Sequence, residues 1–229
     1  MNQILRRQTS RSHYGSKVPA VTVTVFNYRN KIGKIVVKAV PYPIPFQITE
    51  EVKNHLQTKS TDDDRPFKTL PPGLSIKPSS IPGAGLGVWT ERDFPKGTRF
   101  GPYGGGVTDN IERGEYAWQI YDEDFQFKFY VDAFYKNNSN WVRYINCART
   151  ITEENMYPHQ YNDEVYYVAY ECIKSGTELF IWYGDDYGSD LGFTRTAEDY
   201  QKRFNEDSSK YIVESKINSK FCVLLDNIK

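Results

Sequence analysis

The segments Asn140-Trp-Val-Arg-Tyr-Ile-Asn-Cys-Ala-Arg149 and Glu178-Leu-Phe-Ile-Trp-Tyr-Gly-Asp-Asp-Tyr-Gly188 decide how this 229-residue chain is read. In the first, large apolar residues over 141–145 predict a strand that ends in the pair Asn146-Cys147. A side-chain amide there donates and accepts hydrogen bonds, so Asn146 suits a bound amine or a neighbouring loop. On its own, an asparagine that merely closes a strand is the commoner reading. In the second segment, Leu179, Ile181 and Tyr183 alternate with Phe180 and Trp182 across a predicted strand at 177–184. Apolar residues at both parities suit an element buried on both faces. Tyr183 stands directly before Gly184, where the chain turns and a hydroxyl can project into a site.

Upstream lies Ile81-Pro-Gly-Ala-Gly-Leu-Gly-Val-Trp89, with glycines at 83, 85 and 87. Missing side chains let backbone groups approach a ligand closely. The spacing is not that of a dinucleotide fingerprint, because the third glycine comes one residue early and no helix follows. Alone, it reads more readily as a tight turn before a strand. Phe100-Gly-Pro-Tyr-Gly-Gly-Gly106 is a turn by composition and displays Tyr103. Tyr116 and Trp118 are two apart, so on one strand they share a face. On its own, plain core packing is the commoner reading of that pair.

Short strand-like runs punctuated by Gly, Pro and Asn fill 67–192: 74–76, 87–90, 98–103, 116–121, 125–133, 141–145, 164–172 and 177–184. They predict a mainly β domain with irregular pairing. Ahead of it, 1–20 reads as a disordered basic arm. VTVTVF (21–26) and KIVVKAV (34–40) read as a hairpin, and Thr49 caps a short helix over 49–57, so that 21–58 is an extension. Residues 59–66 read as a polar linker. After it, 193–229 opens with a helix capped by Thr196 and holds two further strand-like pieces at 211–225.

Composition narrows the chemistry. Hydrophobic residues at 39% and charged residues at 25% are an ordinary globular balance. No apolar run approaches the ~20 residues of a membrane span, and no apolar stretch follows the early arginines, so neither membrane insertion nor a secretory signal is expected. Three cysteines (Cys147, Cys172, Cys222) without paired spacing suit reduced intracellular thiols and predict no metal site. Three scattered histidines (His13, His55, His159) argue against histidine-based hydrolysis. Eighteen tyrosines supply the abundant polar chemistry: rigid apolar bodies with one hydroxyl, suited to aromatic pockets and to cations. The net charge of zero conceals a split. Residues 1–60 hold ten basic and two acidic side chains, a balance of +8; the other 169 hold 19 basic and 27 acidic, a balance of −8. Unlike charges on the two parts suggest unlike partners.

The motifs GxGxGVW, GPYxG, YxW, NWxRYxNCAR and ELxxWYGDxYG follow one another in this order along 81–188. In that order the chain resembles the PR/SET domains of the PRDM family over roughly 70–192. Within the family, the likeness is greatest to the member that acts on histone H3 in meiotic chromatin. The resemblance implies a SET-type fold, mainly β (α+β): small twisted sheets in which a C-terminal segment passes under a loop as a pseudoknot. The hairpin and the segment 193–229 are then its N-terminal extension and its post-SET piece.

It further implies a nuclear, chromatin-regulating protein-lysine N-methyltransferase that uses S-adenosyl-L-methionine on the histone H3 N-terminal tail, at lysine 4, with a germline setting. By resemblance, Ala84, Gly85 and Leu86 loop over the methionine part of the cofactor, Tyr116 packs against it, and Asn146 and Cys147 grip its adenine side. Tyr183 is the tyrosine of methyl transfer. Tyr103, Tyr167 and Trp118 border the substrate. Most SET enzymes carry Asn-His ahead of the small residue, whereas here Cys147 follows Asn146 directly. The alternative reading is therefore a catalytically weak PR domain acting as a chromatin-associated scaffold. The zinc modules of the family have no counterpart among three cysteines, so sequence-specific DNA binding is not expected. Nucleosomal DNA phosphates are a candidate partner for the basic 1–60 segment.

Overall fold

The computed structural model describes residues 47–55, 62–111, 115–122, 124, 126–196 and 199, with 26–29, 35–38 and 186 as backbone. In chain order the strands are β1 (Phe26–Arg29), β2 (Ile35–Lys38), β3 (Glu50–Val52), β4 (Leu74–Pro78), β5 (Leu86–Thr90), β6 (Thr98–Phe100), β7 (Gly106–Thr108), β8 (Ala117–Tyr121), β9 (Phe127–Asp132), β10 (Asn146–Cys147), β11 (Met156–Tyr161), β12 (Glu164–Ala169) and β13 (Phe180–Ile181). Helical structure among the described residues is slight: α1 (Arg65–Lys68), α2 (Asp185–Asp190) and two 3-10 turns, Lys136–Asn138 and Trp141–Tyr144.

The strands form four small sheets, ordered β1-β2-β8-β9-β7, β11-β12-β6-β3, β4-β5 and β10-β13. This is the mainly β architecture of small sheets that the motif order implies. Its distinctive element is β10-β13, a parallel pair in which Asn146 faces Phe180 and Cys147 faces Ile181. Around it the segment 178–182 is enclosed. Leu179 N donates to Val88 O at 2.8 Å, Ala148 N to Ile181 O at 2.8 Å, and Asn155 N to Phe180 O at 3.2 Å. The Asn155 side chain completes the enclosure, donating to Glu178 O and accepting from Phe180 N. Leu179 to Trp182 are all buried, as the two-faced apolar pattern predicts.

The core is built on aromatic contacts. Phe94 and Phe100 meet edge to face at 5.1 Å, and Phe100 meets Trp141 at 6.5 Å. Val88, Ile120, Ile145, Met156 and Ile181 fill the space between them, each contributing roughly 1.5–3 kcal/mol on burial.

Four expectations need correction. The stretch 141–145 is not a strand: Trp141–Tyr144 form a 3-10 turn. Asn140 caps it by accepting from Val142 N, and Trp141, Val142, Arg143 and Ile145 are all buried rather than alternating. The expected helix beginning at Thr49 is replaced, over 50–52, by β3, which pairs in parallel with β6. Its acids serve ion pairs with Arg92 and Arg99, and Val52 enters the core, so tertiary contacts override local propensity. Pro66, expected to end a linker, opens the single turn α1 and is buried there. The run 177–184 is ladder-paired only at Phe180–Ile181.

Strands Gly106–Thr108 and Met156–Tyr161 had no sequence expectation. The hairpin is observed as β1 and β2, four residues each, further along the chain than its first half was read. The arm 1–20, the pieces at 211–225 and the rest of the helix after Thr196 lie outside the described residues. Thr196 itself donates to and accepts from Asp199, as a cap does.

Candidate functional site

The turn between β4 and β5 carries Ala84 and Gly85 and runs into Leu86, the first residue of β5. Ser79 N donates to Gly85 O at 2.9 Å and Ala84 N to Ile81 O at 3.1 Å, which closes the turn. Gly83 and Gly85 sit at φ 81° and 77°, the left-handed region where a side chain is disfavoured, and the space where a Cβ would stand is open at both. Ala84 and Gly85 are exposed, and Leu86 is half-buried. Across from the turn, Asn146 Nδ2 donates to Leu86 O at 3.0 Å and to Glu178 Oε1 at 3.3 Å. The parallel β10-β13 pair thus brings the glycine-rich turn, Asn146-Cys147 and the segment before Tyr183 together.

Cys147 is buried, with its thiol directed to Ala148 O at 3.7 Å. Burial pushes its pKa up to about 11, against the opposing pull of a hydrogen bond from the Tyr183 backbone. It is a neutral thiol rather than a nucleophile.

Beyond this corner lies an aromatic cluster. Tyr103, Trp118 and Tyr167 have ring centroids 5.8–6.3 Å apart. Every hydroxyl has a fixed partner. Tyr103 OH donates to Tyr116 O at 2.9 Å, Trp118 Nε1 donates to Tyr167 OH at 3.0 Å, and Tyr183 OH donates to Ile145 O at 2.5 Å. The Tyr183 ring meets Tyr187 edge to face at 5.1 Å. Burial drives the phenols of Tyr103, Tyr167 and Tyr183 well above their ordinary range, and for Tyr183 the neighbouring phenols of Tyr167 and Tyr103 add to the effect. The cluster is therefore uncharged, with electron-rich faces and oriented oxygens.

Tyr116 sits just before β8 and its ring goes elsewhere than that of Trp118. Its centroid lies 4.3 Å from the Arg143 guanidinium and 6.4 Å from that of Phe134. His159 pairs with Tyr166 on the ladder, not with Tyr167, so it faces away from the cluster toward Tyr161 and Arg99.

All the residues singled out from sequence thus fall into two adjoining groups: Ala84, Gly85, Leu86, Asn146 and Cys147 in one, and Tyr103, Trp118, Tyr167 and Tyr183 in the other, with Tyr116 between Tyr103 and Arg143. Sequence reasoning missed Glu178, Asn155, Arg143 and Tyr187. Glu178 had a signal, a lone acid at the head of a buried apolar run. Among the described residues no group of three or more His, Cys, Asp or Glu is placed to hold a metal.

Residues 74–194, a little over half of the chain, match the family described as the PR domain of PR domain zinc finger protein 2. The chain is 44% identical over 138 residues to the Homo sapiens histone-lysine N-methyltransferase PRDM7, covering 59% of this chain and 28% of that protein. It is 39% identical over 139 residues to the Caenorhabditis elegans histone-lysine N-methyltransferase set-17, covering 59% of this chain and 49% of that protein. The match therefore spans half or less of these relatives' own length. Among solved structures, the methyltransferase domain of human PR domain-containing protein 2 is 28% identical, covers 58% of this chain and 91% of that one, and superposes with a TM-score of 0.47. The family match along 74–194 places the chain in the PR-domain family of PRDM proteins.

Proposed function

We propose that this protein is an S-adenosylmethionine-dependent protein-lysine N-methyltransferase that acts on the histone H3 tail, at lysine 4, within chromatin. The observation that carries this reading is the adjacency of two features. One is an open glycine-rich turn held by Asn146; the other is a buried, neutral tyrosine cluster ending at the Tyr183 hydroxyl. The names of the relatives, histone-lysine N-methyltransferases, support it.

The residues fit the cofactor. The turn leaves open space at Gly83 and Gly85, and Asn146 Oδ1 carries no hydrogen bond to any described residue while its Nδ2 is committed to the chain. In this reading Ala84, Gly85 and Leu86 cover the methionine part, Asn146 and Cys147 border the adenine side, and Tyr116 packs alongside. S-adenosylmethionine, when bound, supplies a methyl group on a sulfonium centre.

The chain does the rest. Tyr103, Tyr167 and Trp118 wall the approach of the lysine, and their desolvating surfaces favour its neutral amine. Tyr183, its hydroxyl fixed on Ile145 O, and the nearby carbonyl oxygens favour positive charge developing on the transferred group. Alignment for an in-line displacement contributes as much as roughly 7–11 kcal/mol in well-oriented systems. The acidic balance of 61–229 complements a lysine- and arginine-rich tail, and the basic 1–60 segment complements nucleosomal phosphates. No described helix is long and apolar enough to cross a membrane.

Mass spectrometry of histone H3 after incubation with protein and labelled S-adenosylmethionine tests the reading. Label at lysine 4 that disappears with Tyr183→Phe supports it, and equal labelling by the variant overturns the site. A second reading, a scaffold of weak activity, is favoured by Cys147, which offers only a buried thiol directed at Ala148 O. Calorimetry separates the two: no cofactor binding at millimolar concentration selects the scaffold.

A further inference from the structure

We infer that Glu178 is the positioning residue of the methyl-donor site, setting the shape of the 79–87 turn and, through it, donor affinity. This rests on the methyl-donor reading proposed above.

Glu178 is 3% exposed, and its carboxylate is the point where the turn, Asn146 and β5 converge. Oε1 accepts from Ser79 Oγ at 2.7 Å and from Asn146 Nδ2 at 3.3 Å. Oε2 accepts from Ser80 N at 2.7 Å and from Ser80 Oγ at 2.7 Å. Ser79 Oγ in turn accepts from Ile81 N at 3.1 Å, extending the network toward Gly83. Four donors on two oxygens match what an ionised carboxylate accepts and what an amide does not. Hydrogen bonds to an ionised acceptor are also stronger than neutral ones.

The anchor is also bonded to elements outside the turn. Glu178 bridges to Trp89 of β5, the next residue bonds from Leu179 N to Val88 O, and Glu178 O accepts from Asn155 Nδ2 at 2.8 Å. Gly87 is what lets the carboxylate reach the turn, because a Cβ there would stand 2.0 Å from Oε1. None of these contacts reaches the tyrosine cluster. The carboxylate therefore acts on where the donor is held, not on the transfer itself.

Glu178→Gln keeps the shape but places an NH2 against either Asn146 Nδ2 or the Ser80 amide, both obligatory donors. Two arms test the role. In the unliganded protein, hydrogen–deuterium exchange over 79–87 is expected to quicken in E178Q while β11 and β12 keep their protection. In steady state, KM for S-adenosylmethionine is expected to rise roughly 10- to 100-fold, the scale of a misplaced positioning contact. The kcat at saturating donor and KM for an H3 peptide are expected to stay within about threefold, since the tyrosines are untouched.

Calorimetric binding of S-adenosylhomocysteine is expected to weaken in parallel. Unchanged exchange at 79–87, or a fall in kcat with KM for the donor unchanged, overturns the positioning role. A wild-type protein that binds no S-adenosylhomocysteine overturns the methyl-donor reading instead, and that result stands apart from the exchange arm. Should E178Q fail to fold, the paired variant Ser79→Ala and Ser80→Ala removes two of the four donors and leaves the acid in place. It is expected to show the same signs at smaller size, and no change in either arm overturns the role.

Discussion

The Tyr183 hydroxyl rests on the Ile145 carbonyl at 2.5 Å, one residue before the ladder in which Asn146 faces Phe180. One hydroxyl thus fixes the end of β13 to the start of β10, at the meeting point of the glycine-rich turn and the aromatic cluster. Tyr183→Phe removes that donor and nothing else. Methyl transfer to H3 is expected to fall by about 100-fold or more, as for loss of a single oriented charge-stabilising group. The global fold should survive, with unfolding free energy lowered by about 0.5–1.5 kcal/mol, measured by urea titration beside the activity assay.

Trp118→Phe probes the other side of the cluster. It deletes the Nε1 donor to Tyr167 OH and leaves a buried hydroxyl short of its partner. A loss of about 1–3 kcal/mol is expected from the stranded group, together with whatever the smaller ring fails to fill. The double variant with Tyr167→Phe should recover part of that loss, because both polar partners are then gone; a thermodynamic cycle over the four proteins measures it.

His159 predicts a pH dependence of stability. Burial, aided by Arg99, lowers its folded pKa to about 4, against about 6.5 for an unperturbed imidazole. The unfolded chain therefore takes up the proton first as pH falls. The stability that neutral His159 contributes is complete above about 6.5, is lost progressively down to about 4, and changes no further below that. The full effect is on the order of 3 kcal/mol. His159→Phe keeps the packing against Tyr161 and should flatten this part of the profile. Denaturant titrations at pH 7.5, 6, 5 and 4 compare the slopes of the two proteins.

The cysteines differ sharply in reactivity. With its pKa at about 11, Cys147 is ionised to about one part in a thousand at pH 8, and it is buried, whereas Cys172 is exposed. Iodoacetamide at pH 8 should label the Cys172 peptide at least about 100-fold faster than the Cys147 peptide, with the gap closing in urea. Fast labelling of Cys147 in the native protein would contradict its burial.

Legibility in the sequence followed the range of the interactions. Gly83 to Trp89 announced a turn and a strand because glycine spacing is local chemistry, and β5 begins one residue from where it was read. The run from Trp141 to Ile145 misled because apolar residues in succession look the same in a strand and in a buried turn. What settles it is Asn140, whose Nδ2 reaches Pro102 O and the side chain of Asn54, 86 residues away. Thr49 and its following acids read as a helix start, since nothing local reveals that Arg92 and Arg99 will claim those acids. The site residues were legible as an ordered set of motifs. The partners of their hydroxyls, the carbonyls of Ile145 and Tyr116, carry no side-chain signature at all. Glu178 carried a local signal, a lone acid ahead of an apolar run, but not its role, because its serines lie almost a hundred residues upstream.

The parallel pairings of β3 with β6 and of β2 with β8 carry a practical consequence. The family match begins at residue 74, yet Thr98–Phe100 and Trp118–Gln119 are paired along one edge by strands that precede it. A fragment trimmed to the match would present two raw sheet margins, rows of unpaired amides and carbonyls that invite other chains. Upstream residues thus act as stoppers for the neighbouring sheets, and a fragment that includes β1 to β3 is expected to stay dispersed where one trimmed to residue 74 associates.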